Sequence, residues 1–117
     1  MVTMLEVTDV TTSTACCAPL VKQPLGQEDA ERLAVRLKAL ADPARLRLLS
    51  IVASSEDQEA CVCDLIDPIG LSQPTVSHHL KVLTTAGFLA RSQRGTWAYY
   101  RLMPESLSAV TRMLETN

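Results

Sequence analysis

The stretch Leu71-Ser-Gln-Pro-Thr-Val-Ser-His-His-Leu-Lys-Val-Leu-Thr-Thr-Ala-Gly87 carries its own start and stop signals for a helix. Ser72 can accept from a free amide of a first turn. Pro74 lies within that turn, where a missing N–H costs little. Val76, Leu80 and Leu83 then recur at i, i+4 and i+7, one apolar stripe suited to packing. Pro74, His78, Lys81 and Thr85 project from the opposite side, with Ser77 at its margin. Gly87 stands where a left-handed residue would end the helix. The stripe is too narrow for a wholly buried helix, and the far face is polar without being acidic. Such a helix can dock on its own domain by one side and enter a DNA major groove by the other.

Working outward, the flanking segments supply the rest of a DNA-binding domain. A first helix is expected from about Gln27 to Ala41, with Leu33, Leu37 and Leu40 as its apolar face and Glu28, Asp29 and Glu31 near its positive end. Asp42-Pro43 reads as an N-cap followed by proline at the first helical position. It opens a second helix to about Ala53, with Leu46, Leu48, Leu49 and Val52 inward and Arg45 and Arg47 outward. Ser54 to Glu59 reads as a polar loop, and Cys61 to Ile66 as the start of a short third helix that Pro68 and Gly70 stop. A short helix, a glycine turn and a capped helix make a helix-turn-helix. Phe88 to Arg94 and Trp97 to Leu102 are expected strands around Arg94-Gly95-Thr96, a β-hairpin wing, and Pro104 opens a last helix with Leu107, Val110 and Leu114. The expected architecture is mainly α with a β-hairpin: a winged helix-turn-helix in the order α-α-α-α-β-β-α. Residues 1–25, interrupted by Pro19 and Pro24, are expected to form a flexible arm carrying Cys16 and Cys17, ahead of a winged domain over residues 26–117.

Composition narrows the function. A chain of 117 residues is one domain with a modest core, and its few aromatics leave Leu, Val, Ile and Ala to fill it. No run approaches the ~20 apolar residues of a membrane span, and the N-terminus lacks a basic-then-apolar leader, so no membrane association and a cytoplasmic location are expected. The net charge of −2 is uninformative, but its distribution is not. Pro68 to Met103 contains no Asp or Glu, while Lys81, Arg91, Arg94 and Arg101 fall inside it. Phosphate contacts need such a local cationic footprint whatever the total. Catalysis is not expected: there is no nucleotide-binding glycine loop, no Cys-x-x-Cys pair, and both histidines lie on the reading helix. A module for protein interaction that has lost DNA binding fits poorly with the acid-free stretch.

These residues resemble a known family. Ala39-Leu-Ala-Asp-Pro-Ala-Arg-Leu-Arg-Leu-Leu49, Cys61-Val-Cys-Asp-Leu65, Ser72-Gln-Pro-Thr-Val-Ser-His-His-Leu80, Ala86-Gly-Phe-Leu89 and Gly95-Thr-Trp-Ala-Tyr-Tyr100 are similar, in this order, to the motifs of the ArsR/SmtB metal-sensing repressors. The likeness covers about Glu28 to Leu114. It implies a homodimer built from the first and last helices, bound to double-stranded operator DNA at an inverted repeat and released by an inducing ion. Gln73, Thr75, Ser77 and His78 are the candidates for base edges, and Lys81, Arg91, Arg94 and Arg101 for phosphates. His79 turns toward the packed side, and it lies about 100° around the helix from His78, so the two do not chelate one ion together.

The cysteines occur as Cys16–Cys17 and Cys61–Cys63, pairs that in a reducing cytosol point to metal or redox chemistry rather than structural disulfides. Cys61 and Cys63 would diverge on a regular helix and converge only at its irregular start. Free N–H groups and the positive dipole end there would favour the thiolate, and thiolates select soft ions. The resemblance makes Cys61 and Cys63 part of an inducer site. Its founding arsenical repressors space a third cysteine as Cys-x-Cys-x-x-Cys, where this chain has Ile66, so a further thiolate must come from Cys16 or Cys17. No resident cofactor is expected. The inducer is expected to be As(III) or Sb(III), bound by three thiolates, with a Cd(II)/Pb(II) sensor using all four and a thiol redox switch as the alternatives. The family's other site, of zinc type on the last helix, should be absent because residues 105–117 contain no histidine.

Overall fold

A computed structural model describes Leu20 and residues 23–115. The helices are α1 (Gln27–Leu40), α2 (Pro43–Ser54), α3 (Ile66–Ile69), α4 (Gln73–Thr85) and α5 (Pro104–Met113), and the strands are β1 (Glu59–Cys61), β2 (Leu89–Arg94) and β3 (Trp97–Leu102). Single turns of 3-10 helix occupy Glu56–Gln58 and Val62–Asp64. The described residues form two compact units, one with the start of α1 up to Ala34 and the chain from Glu105 onward, the other of Val35–Pro104.

In the first unit, the N-terminal half of α1 carries Asp29 paired to Arg32 at 2.7 Å and Gln27 donating to Glu31. Leu20 N donates to the carbonyl of Met113 at 2.9 Å. Ala109, Val110 and Met113 form the buried side of α5, while Leu114, expected on that side, is exposed just beyond its end.

The second unit is the winged helix-turn-helix. Leu48, Val52, Leu65, Val76, Leu80, Leu83 and Phe88 are fully buried and form its core. At α2, Leu48, Leu49 and Val52 are the inward residues, whereas Leu46 is 52% exposed. Leu46 lies two positions before Leu48, about 200° around the helix, and so faces away. Leu37 on α1 is likewise more exposed than its place in the apolar pattern implies, and Ala39 is buried instead. Of the two arginines of α2, Arg47 is exposed as expected, whereas Arg45 is partly buried, contrary to expectation. Arg47 Nη2 donates to the Pro68 carbonyl at 2.8 Å, and Arg45 reaches the carbonyls of Ala39 and Lys38. Both satisfy acceptors at the C-terminal ends of helices, which have no partners within the helix.

The segment before the reading helix also differs from expectation. The supposed loop ends in strand β1, which pairs antiparallel with β3 in the register Glu59↔Arg101, Ala60↔Tyr100 and Cys61↔Tyr99. The sheet therefore has three strands in the order β1-β3-β2. Cys61 is the last residue of a strand rather than the first of a helix, and helix proper begins only at Ile66. Residues 59–61 find hydrogen-bond partners on a distant strand, and that pairing overrides the local helical spacing.

The wing matches expectation closely. Leu89–Arg94 pairs with Trp97–Leu102 through a two-residue turn, with Gly95 at φ +64° in its first position. A positive φ there matches the right-handed twist of the flanking strands.

Candidate nucleic-acid interface and thiol site

Helix α4 is bounded by its own chemistry. Ser72 Oγ accepts from Thr75 N at 3.4 Å and lies 2.9 Å from Thr75 Oγ1. At the far end, Phe88 N donates to the Leu83 carbonyl and Gly87 N to the Thr84 carbonyl, both at 3.0 Å, with Gly87 at φ +92°. This pair of bonds is a Schellman cap, which needs a left-handed residue at the position Gly87 occupies. Val76, Leu80 and Leu83 are buried; Gln73, Pro74, Thr75, His78 and Lys81 are exposed.

The structure sorts the candidate contacts by surface. An open groove of about 630 Å³ runs between α4 and the wing, and Gln73, Ser77, Lys81 and Arg91 all line it. Among the described residues no acidic side chain lines it. Arg91 reaches it because its cross-strand partner is Tyr100, on the helix-facing side of the sheet. Arg101 pairs with Ala90 and so points to the other side. Arg94, an odd number of positions from Arg91, does the same. There it forms an ion pair with Glu59 through Nη1 and Nη2, and its guanidinium lies 4.4 Å from the Tyr99 ring centroid. The pairing to Glu59 holds the Arg94 pKa above its usual value. The acid-free stretch thus acquires a carboxylate in space, because β1 delivers Glu59 from 35 residues away. Thr75 does not line this groove and shares a hydrogen bond with the capping Ser72. His78 stands on the opposite flank of α4.

His79 is held within the domain. Arg45 Nη1 lies 3.0 Å from His79 Nδ1, and the Asp42 carboxylate is 4.0 Å from the same nitrogen. Arg45 N donates to Asp42 at 3.1 Å, capping α2. That hydrogen bond is the main reason the Asp42 carboxyl sits below the usual carboxylate range; the positive charges of His79, when protonated, and Arg45 add to it. This network joins the end of α1, the start of α2 and the buried side of α4.

The two cysteines of the Cys-x-Cys pair come together. Cys61 is buried at the end of β1, Cys63 is exposed in the following 3-10 turn, and their sulfurs are joined in a disulfide across a Cα separation of 5.2 Å. Cys63 N donates to Cys61 Sγ at 3.3 Å. The expected helix dipole plays no part, since α3 is a single turn that starts beyond both residues. Val62, between the two cysteines, lines the same groove as Gln73, Ser77, Lys81 and Arg91. Among the described residues no third Cys, His, Asp or Glu joins the pair in a metal-binding group. Cys16 and Cys17 lie outside the described residues, as does most of the expected arm. Sequence reasoning missed Glu59, Val62 and Gln93 at these surfaces. Only the cysteine spacing on either side of Val62 could have drawn notice to one of them.

No helix among the described residues is long and apolar enough to cross a membrane. Residues 42–91 match the model of a family described as bacterial regulatory proteins, arsR family. The chain is 35% identical over 88 residues to an uncharacterised HTH-type transcriptional regulator of Methanocaldococcus jannaschii, a match covering 75% of this chain and 97% of that protein. It is 44% identical over 78 residues to the arsenic resistance transcriptional regulator ArsR1 of Pseudomonas putida, covering 67% of this chain and 59% of that one. Among solved structures, the AntR antimony-specific transcriptional repressor superposes with a TM-score of 0.62 at 31% identity, over 74% of this chain and 77% of that one.

Proposed function

The chain belongs to the arsR family of bacterial regulatory proteins, a family of transcriptional regulators rather than enzymes, and on that premise we propose that it is a metalloid-responsive repressor. It binds an inverted-repeat operator as a homodimer in the cytoplasm and is released when As(III) or Sb(III) is captured by cysteine thiolates. The observation that carries this reading is the position of Val62, which lines the α4–wing groove while both its neighbours are cysteines. An ion held by Cys61 and Cys63 must reshape the turn between them, and that turn is part of the groove wall.

Gln73 and Ser77 read base edges from this groove, and Thr75 and His78 extend the same exposed ridge. Lys81 and Arg91 contact phosphate; Arg94 and Arg101, on the outer side of the wing, serve DNA flanking the helix. Cys61 and Cys63 supply two thiolates, and Cys16 or Cys17 supplies the third that As(III) requires. The names of the P. putida and antimony-specific relatives favour a metalloid over the alternative Cd(II)/Pb(II) sensor, which would use all four sulfurs. Dimerisation is supported by the exposed leucines Leu37, Leu46 and Leu114, since two-fold pairing is the commonest way to cover such residues and it matches a palindromic operator.

The test is release of a labelled operator duplex from the reduced chain by As(III), Sb(III), Cd(II), Pb(II) and Zn(II), repeated with Cys16→Ser, Cys17→Ser, Cys61→Ser and Cys63→Ser. Metalloid release by the wild type, abolished in Cys61→Ser and Cys63→Ser, supports the reading. Release that survives both substitutions overturns it. One observation favours a second reading, a thiol redox sensor: the Cys61 and Cys63 sulfurs lie close enough to each other to form a disulfide. In that case a peroxide takes two electrons and two protons from the thiols and leaves as water. Peroxide then releases the duplex, and arsenite under reductant does not.

A further inference from the structure

Helix α4 is flanked by a second groove, of about 360 Å³, on the side away from the wing. Its walls are the C-terminal half of α1 and the flank of α4, with Lys38, His78 and Lys81 around an apolar floor that includes Ala39, Val82 and Ala86. Lys81 and Thr85 line both grooves. The exposed edge of α4 is therefore a ridge with a trough on either hand. One trough carries Arg91 and the other carries Lys38, and among the described residues neither has an acidic side chain in its lining.

A DNA major groove is about 12 Å wide and is bordered by one sugar–phosphate backbone on each side. A ridge that enters it must accommodate both backbones alongside. We propose that the Lys38 groove receives the second of them, so that Arg91 and Lys38 contact phosphates on opposite strands. This rests on the operator-binding reading above. Charge complementarity supports it, as does the floor, since deoxyribose presents carbon to the protein between charged phosphates. The walls are also held in place before DNA arrives. Arg45 Nε donates to the Ala39 carbonyl at 2.6 Å and Nη2 to the Lys38 carbonyl at 3.3 Å, while Nη1 lies against His79 on α4. One guanidinium thereby fixes the end of α1 against the reading helix. Lys38 becomes a positioning contact that carries no base information and sets the angle of α4 in the groove.

The experiment measures affinity of the reduced, full-length chain for an operator duplex against salt concentration, for wild type, Lys38→Ala, Lys38→Arg and Arg91→Ala. Each lost phosphate contact should lower the slope of log K against log salt by about 0.9, and a substitution present in both protomers of the dimer removes two, for about 1.8. Lys38→Ala and Arg91→Ala should each do so, and Lys38→Arg should keep the wild-type slope. Methylphosphonate linkages confined to one half-site, in one strand at a time, should each remove a single contact of the protomer bound there: one strand reduces the effect of Lys38→Ala and the other the effect of Arg91→Ala. An unchanged slope in Lys38→Ala, or both substitutions affected by the same strand of one half-site, overturns the second-groove assignment and leaves the repressor reading intact. A wild-type chain with no salt-dependent duplex binding overturns both.

Discussion

Helix α4 and the segment from Glu59 to Ile69 are near neighbours in the chain, yet their shapes have different origins. The helix is closed by Ser72 at one end and by the Gly87 cap at the other, and it rests on three residues of its own stripe. The Glu59–Ile69 segment contains a three-residue strand, a single 3-10 turn and one turn of helix. None of these would persist alone, because short helices and isolated strand pairs are marginal in water. Their geometry comes from β3, through the Cys61↔Tyr99 pairing, and from Arg47, which bonds the Pro68 carbonyl. The contrast suits a switch. A stiff reading element transmits a displacement, and a segment held by distant partners is the one an inducer can reshape at modest cost.

The comparison breaks most visibly through the core under the stiff element. Leu80→Ala should lower unfolding stability by about 2–5 kcal/mol in urea titrations, since Leu80 is fully buried and the cavity cannot collapse freely. Removing the helix's own cap is milder. Ser72→Ala should cost about 1 kcal/mol, and operator affinity should fall with it because Gln73 and Thr75 follow directly. If the cost of Ser72→Ala were absent, α4 would owe its start to packing, and the proposed distinction between the two regions would fail.

The distinction also decides what could be read in advance. The cap at Ser72, the stripe of Val76, Leu80 and Leu83, the stop at Gly87 and the wing turn at Gly95 depend on residues within one element, so spacing alone reveals them. Strand β1 depends on partners about 40 positions downstream, and no local pattern encodes that pairing. The same long reach hid Glu59 from the charge count and divided the wing arginines between two faces. Pleat alternation would have separated Arg91 from Arg94, but pairing register was needed to know which one faces α4. For the thiols, spacing foretold a meeting of Cys61 and Cys63 but misplaced it on a helix start.

The partner-held region offers a smaller effect that sharpens the contrast. Glu59→Gln removes the charge facing Arg94 in an ion pair that is half-exposed on the arginine side, where solvent screens it, so urea midpoints should hardly move. Its influence should appear in the inducer response, because Glu59 and Cys61 share the strand β1. The arsenite concentration for half-release should shift by several-fold, with operator affinity before induction changed less. An unaltered dose response would mean that the sensor turn is independent of the wing.

The smallest effect lies in the pH dependence of Asp42, which belongs to the junction of α1, α2 and α4. Its folded pKa is depressed from the ordinary 3.8, first by the Arg45 N–H bond. A carboxyl depressed on folding contributes stability that is present above its unfolded pKa and disappears as pH falls through the lower, folded value. Asp42→Asn keeps an acceptor for the Arg45 amide but cannot titrate. Urea midpoints measured from pH 6 down to pH 2.5 should therefore converge: the wild type is the more stable at pH 6, and its advantage shrinks below about pH 4. Because Asp42 and Arg45 also face His79 on the buried side of α4, the variant should bind operator more weakly at neutral pH without changing its arsenite dose response. A change in the dose response instead would make this junction part of the inducer path, and the reading helix would no longer be the passive member of the pair.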